Sequence, residues 1–229
     1  MAEKSSNRIL SRLSAEEHAL VGPRLEPVAL PAGKLLESSN RPIEHIYFIE
    51  RGFASVVADR GGGLSIGIIG REGMTGLAVI MGTDRSPNET YMQIAGDGQR
   101  IAATNMRELI AKSDSLHHTL LRYGHAFTTQ IAQTVLANGR GKIQERLARW
   151  LLMAHDRIEG DQVPLTHKSI SIAIGVHRPG VTLALKLLEN EGLVRTMRGG
   201  ITIVDRSRLR KISNRTYGTP EAEYRRLFG

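Results

Sequence analysis

Between residues 164 and 205 the sequence PLTHKSISIAIGVHRPGVTLALKLLENEGLVRTMRGGITIVD gathers hydroxyl, imidazole, ammonium and guanidinium groups around two apolar repeats. Donors of this kind suit the binding of a polyanion better than the breaking of a bond. Thr166 is placed to cap a helix whose apolar residues are Ile170, Ala173 and Ile174. Gly175 then ends that helix, because glycine takes positive φ without steric cost. A second helix opens around His177–Arg178–Pro179, where proline is tolerated since first-turn amides have no intrahelical partner. It turns Val181, Ala184, Leu185 and Leu188 inward at helical spacing. Two helices joined by about three residues form a helix-turn-helix, whose second helix can enter the major groove of DNA. Beyond it, 193–195 and 201–204 alternate around Arg198–Gly199–Gly200, the pattern of a hairpin wing.

Charge distribution points the same way. Residues 1–139 hold 14 Lys+Arg against 14 Asp+Glu, and residues 140–229 hold 17 against 9, so the whole net charge of +8 lies in the second segment. A basic segment joined to a neutral one is what counterion release from a phosphate backbone requires.

Signals of other chemistry are missing. Cysteine is absent, which excludes disulfides, thiolate-held iron–sulfur clusters, a cysteine nucleophile and thiol redox sensing. The histidines (His18, His45, His117, His118, His125, His155, His167 and His177) are scattered. His117, His118 and His125 share one predicted helix and could be imagined as haem ligands, but adjacent histidines on a helix face different ways. No clustered His-x-His with a following Glu, Ser-His-Asp order, paired-carboxylate signature or phosphate-loop glycine motif occurs. No cofactor, metal or enzymatic activity is expected. No apolar run approaches the length of about 18 residues that spans a membrane. The N-terminus MAEKSSNRILSRLSAEE has no signal core, so a cytoplasmic protein is expected.

These residues need elements to carry them. Ser14 and Glu17 form a capping-box pattern within a short helical stretch over 8–22. From Val28 to about Thr104, short apolar runs (34–36, 46–49, 54–58, 64–69, 91–95 and 99–103) alternate with turn signals at Pro31–Ala32–Gly33, Arg51–Gly52, Gly61–Gly62–Gly63 and Gly96–Asp97–Gly98. Short strands punctuated so often predict a closed β-sandwich or barrel. From about Met106 the pattern turns helical. Leu116, Leu120, Tyr123, Phe127, Ile131, Thr134 and Ala137 recur at steps of three or four, the seam of a long helix that pairs with its own copy or packs on the β-domain. A hinge is placed at Asn138–Gly139–Arg140–Gly141, followed by a helix over 143–158 and a polar one from Asp205. The segment past Tyr217 reads as charged and mobile.

In this order the parts resemble the CRP/FNR family of bacterial transcription regulators. The specific segments are YFIERGFASVV (47–57), GREGMTGL (70–77), ERLARWLLMAHDRI (145–158) and the stretch 164–205. The resemblance implies an α+β chain with an N-terminal β-roll of the double-stranded β-helix or jelly-roll type over 1–112. A long dimerisation helix would follow over 113–139, then a C-terminal winged helix-turn-helix over 140–229. It implies a homodimer on a palindromic double-stranded operator, with RNA polymerase as a further partner and no membrane. The helix seam Leu116, Leu120, Tyr123, Phe127, Ile131 and Thr134 would form the dimer interface. Arg178 matches the arginine that reads guanine, and Thr166 a backbone-contact position. His177, Thr182 and Lys186 are further contact candidates, and Arg195 and Arg198 would lie along the backbone on the wing. Pro179 stands where the family has a glutamate, so the carboxylate that accepts from cytosine is missing. In the effector pocket Gly73, Met74 and Thr75 replace a Gly-Glu-Leu motif, while Arg85–Ser86 match an Arg-Ser/Thr phosphate pair. Methionine and threonine cannot supply the carboxylate that holds a ribose hydroxyl, so cyclic AMP is not the expected effector. Two other readings differ in class: a small-molecule sensor whose output is a protein partner, and a β-roll enzyme with a DNA-binding appendage, for which the sequence holds no catalytic constellation.

Overall fold

The computed structural model describes residues 5–58 and 63–229. Gly61 and Gly62, part of the turn expected over 61–63, lie outside the described residues, as do residues 1–4. The expected capping box opens α1 (Ala15–Val21): Ser14 Oγ accepts from the Glu17 amide at 3.1 Å, and the Glu17 carboxylate accepts from the Ser14 amide at 2.8 Å. Just before it, the fully buried Asn7 donates from Nδ2 to the carbonyls of Ile49 and Gly73, both at 2.8 Å. No periodicity announces such a residue, yet it ties the N-terminal segment to two others.

Strands β1 (Glu26–Leu30), β2 (Leu35–Glu37), β3 (His45–Ala58) and β4 (Leu64–Ile69) follow, then a single-turn helix α2 (Leu77–Ile80) and β5 (Glu89–Ala102). The five strands make one sheet in the order β1-β5-β3-β4, with β2 also pairing β5. The pairings of β1, β2 and β3 with β5 are antiparallel. The four runs expected at 46–49, 54–58, 91–95 and 99–103 are thus two long strands. Arg51–Gly52 and Gly96–Asp97–Gly98 do not turn the chain. They face each other across β3 and β5, where the register shifts at Ile49/Arg51, Arg51/Phe53 and Phe53/Ala54. Gly52 holds φ +72°, and a Cβ on Gly96 would sit 1.8 Å from the Arg51 carbonyl oxygen. These glycines allow a bulged close approach, so the strands bend without ending. Ile46, Phe48, Ile49, Phe53, Met92 and Ile101 are all but inaccessible and form the core beside them.

Helices α3 (Ala103–Lys112), α4 (Asp114–Arg140) and α5 (Ile143–His155) come next. The long helix runs through Asn138 and Gly139, and the interruption falls at Gly141–Lys142. The chain divides into two compact units, Met1–Arg60 with Ile69–His125 and Gly61–Ile68 with Ala126–Gly229, so the division falls within α4. In the second unit a two-residue strand β6 (Gln162–Val163) precedes α6 (His167–Ile174), α7 (Arg178–Asn190), β7 (Val194–Met197), β8 (Gly200–Ile203), α8 (Arg206–Ile212) and α9 (Thr219–Phe228). The three strands form a sheet in the order β6-β8-β7.

The segment past Tyr217 is ordered as a helix and docked, against the mobile tail expected there. Phe228 is buried and stacks on Tyr224 at 4.8 Å between ring centroids. Tyr217 Oη donates to Asp156 at 2.7 Å, and Arg206 bridges Asp156 and Tyr217 at 2.5 and 2.6 Å. Arg149, only 4% exposed, donates to the carbonyls of Thr216 at 2.9 Å and Gln130 at 3.4 Å. Burial pulls its guanidinium down to about 10, still charged at neutral pH.

Candidate nucleic-acid interface

The site is built on α6 and α7. Thr166 caps α6 reciprocally with Ser169: the Ser169 amide donates to Thr166 Oγ1 at 3.2 Å, and the Thr166 amide to Ser169 Oγ at 3.0 Å. A cap of this kind contributes about 1 kcal/mol to a helix. Gly175 ends α6 at φ +60°, the left-handed conformation glycine adopts freely. Three residues later α7 begins, with His177 as an N-cap that makes no side-chain capping bond. Ile170, Ala173 and Ile174 of α6 and Val181, Ala184, Leu185 and Leu188 of α7 are buried, so the periodicity identifies the inner faces of both helices.

The outer face of α7 carries Arg178, Thr182 and Lys186, all exposed and four residues apart, and therefore aligned along the helix. Beside them run Pro179, Leu183 and Leu187, also exposed. Thr182 is engaged within the protein. Its hydroxyl donates to the Arg178 carbonyl at 3.1 Å and lies 3.1 Å from His167 Nδ1, which joins α7 to the start of α6.

β7 and β8 pair from Val194↔Ile203 to Met197↔Gly200, leaving Arg198 and Gly199 at the tip. Arg195 and Arg198 are exposed. The hairpin is fastened to α7 by Glu189, which sequence reasoning missed. Its carboxylate accepts from the Thr196 amide at 2.7 Å and from Thr196 Oγ1 at 2.9 Å. The amide bond first, then the hydroxyl, holds Glu189 below the usual carboxylate range. A contact between positions 189 and 196 follows no helical or strand period, so nothing in the sequence marks it.

The polar groups of the expected effector pocket are engaged within the protein. Met74 and Thr75 are buried, and Thr75 exchanges hydrogen bonds with Tyr47, its Oγ1 accepting at 3.0 Å and its amide donating at 2.9 Å. At Gly73 a Cβ would meet the Tyr123 hydroxyl at 2.1 Å, so that ring fills the space beside the loop. Arg85 turns instead to Asp84 at 2.9 Å in solvent, and Ser86 uses Oγ to accept from the Asn88 amide at 3.1 Å. A carboxylate does reach this loop from β2. Glu37 accepts from the Gly76 amide and, at 3.0 Å, from Thr90 Oγ1, while burial raises its pKa.

Of the expected helix seam, Leu116, Leu120, Tyr123, Phe127 and Thr134 are buried within the single chain, and Ile131 is half-buried. Phe127 is so close to Gly67 that a Cβ there would lie 2.8 Å from the ring. The large apolar side chains that α4 leaves in solvent are Leu121, Val135 and Leu136. His117 Nε2 lies 2.8 Å from the Ile80 carbonyl and His118 Nδ1 2.7 Å from the Asp114 carbonyl. Among the described residues no group of His, Cys, Asp or Glu could hold a metal ion, and no helix is long and apolar enough to cross a membrane.

Comparison with known proteins bears on the same segment. A Crp-like helix-turn-helix domain matches residues 145–212, from α5 to the end of α8. No curated protein matches the chain significantly. Among solved structures, it is similar to a transcriptional regulator assigned to the crp/fnr family from Eubacterium rectale, at 19% identity and TM-score 0.70 over 88% of this chain and 95% of that one. It is equally similar to FixK2 from Bradyrhizobium japonicum, at 16% identity and TM-score 0.70 over 82% and 96%. A CRP-family transcriptional regulator from Thermus thermophilus gives 18% identity and TM-score 0.67 over 82% and 96%. The α+β fold, with its antiparallel sheet, long helix and C-terminal winged helix-turn-helix, is therefore that of CRP/FNR regulators.

Proposed function

We propose that this chain, which carries a Crp-like helix-turn-helix domain on the fold of CRP/FNR regulators, is a homodimeric, sequence-specific DNA-binding transcription regulator that acts in the cytoplasm. The observation that carries the proposal is the exposed line Arg178, Thr182 and Lys186 on α7, beside a wing that presents Arg195 and Arg198. Arg178 reads guanine through its bidentate fork at the O6/N7 edge, and Lys186, His177 and the start of α6 at Thr166 contact phosphates. The wing arginines follow the backbone.

Two copies join along α4. The chain covers most of the apolar stripe with its own residues, so the seam runs along the neighbouring face. Leu121, His125, Thr128, Ala132, Val135 and Gly139 are exposed at alternating steps of four and three, the heptad spacing of a coiled-coil seam. Ile131 borders it. The effector is not cyclic AMP, because Met74 supplies no carboxylate, Glu37 is taken up by the Gly76 amide and Thr90, and Arg85 is engaged with Asp84. A signal acting on the β-roll changes the angle set at Gly141–Lys142 and with it the disposition of the two recognition helices.

The test is the salt dependence of binding to random duplex. A protein that neutralises about six phosphates loses about a thousandfold in affinity between 50 and 200 mM salt. A shallow slope would favour a sensor whose output is a protein partner.

A further inference from the structure

The face of α7 that meets the groove has two parallel rows, and only one is polar. Pro179, Leu183 and Leu187 form the second, each exposed and four residues from the next. Leu183 is 61% exposed and Leu187 43%, beside the cations Arg178 and Lys186. Between His177 and Leu187 there is no Asn, Gln, Asp or Glu. The helix therefore has neither an amide to pair with adenine nor a carboxylate to accept from cytosine. The Thr182 hydroxyl is already taken up by the Arg178 carbonyl and His167. In the major groove the one apolar feature of any base pair is the C5-methyl group of thymine, which aliphatic side chains recognise.

From this we infer that Leu183 is a specificity-determining residue that reads thymine by packing on its methyl group. The inference rests on the reading of α7 as the recognition helix. Leu183 lies five residues beyond Arg178, about 7.5 Å along the helix axis. At about 3.4 Å per base pair, its thymine stands about two base pairs from the guanine that Arg178 holds. The half-site is thus defined by one bidentate polar contact and one apolar contact.

Deoxyuridine removes the methyl group and nothing else. Selection from a random duplex library with the wild-type dimer supplies the probe, and each thymine of a half-site is then replaced singly by deoxyuridine. The expected result is an affinity loss of about fourfold, the worth of one buried methyl-sized group, at a thymine about two base pairs from the guanine. Leu183→Ala should bind the thymine duplex more weakly by a similar factor and no longer distinguish thymine from deoxyuridine there, with its salt slope unchanged. Indifference of the wild type to every deoxyuridine would overturn the assignment. So would an equal deoxyuridine penalty in wild type and Leu183→Ala, or conversion of Leu183→Ala to a monomer, which would make the leucine a protein contact. If the library yields no enriched sequence, the underlying reading of α7 fails as well, an outcome distinct from enrichment without methyl sensitivity.

Discussion

Single side chains divide here between reading a ligand and holding the reader in place. In the function proposed, Arg178 belongs to the first kind; it is exposed in the first turn of α7. Its replacement by alanine should remove about 1–3 kcal/mol of discrimination at one base pair and leave most non-specific binding intact, as measured on single-substitution duplexes. Lys186→Ala should weaken all duplexes alike and flatten the salt slope by about one unit. Glu189 belongs to the second kind. Its carboxylate is held below its ordinary value of 4.5 by the Thr196 amide and hydroxyl. A depressed carboxylate contributes stability that is fully present above the unfolded value and is lost as pH falls through the folded one. The wing should therefore loosen as pH falls below that ordinary value, seen as weaker protection of the Thr196 amide, relative to an unprotected amide at the same pH, in acid than at neutral pH, and Glu189→Gln should show the weaker protection already at neutral pH. Arg178 was legible because it falls in a motif, whereas Glu189 and Asn7 were not. Their bonds run to amide and carbonyl groups whose positions only the folded backbone sets.

At the scale of elements, periodicity identified helices better than it identified their neighbours. The stripe from Leu116 to Thr134 is apolar because it is buried, but its spacing could not say whether the cover is a second copy or the chain itself. Burial within the chain moves the proposed seam to Leu121, Thr128 and Val135, which sit seven residues apart. Val135, at 65% exposed, tolerates charge in the monomer. Val135→Glu should thus fold normally and sediment as a monomer that binds DNA weakly. Phe127→Glu should instead lower the melting temperature, since a charge beside Gly67 has neither water nor partner. Glycines misled in the sheet for a related reason. Gly52, Gly96 and Gly98 look like turn residues in sequence, yet their freedom is used for close approach between β3 and β5, and the local sequence is the same for both uses. The two helices of the helix-turn-helix and the wing hairpin were legible because caps, glycine stops and alternation all agreed, whereas the third strand β6 and the Glu189 bond were not. Cyclic AMP in hundredfold excess over a real dissociation constant would stabilise the fold by about 2.7 kcal/mol; no thermal shift is expected at millimolar concentration.

For the whole molecule, charge and symmetry combine. The net charge of +8 resides in residues 140–229, and two-fold pairing of α4 would present two such basic segments to one duplex. Closed two-fold dimers read inverted repeats because each copy meets an equivalent half-site. Sequence reading by such a dimer is tested most directly by selection of binding sites from a random duplex library by the purified protein, followed by footprinting of the enriched sequence. An inverted repeat protected on both halves is expected, with half-site centres about 10–10.5 base pairs apart or a multiple of that. A library that returns no enriched sequence, or protection of one non-palindromic half-site by a monomer, would contradict it.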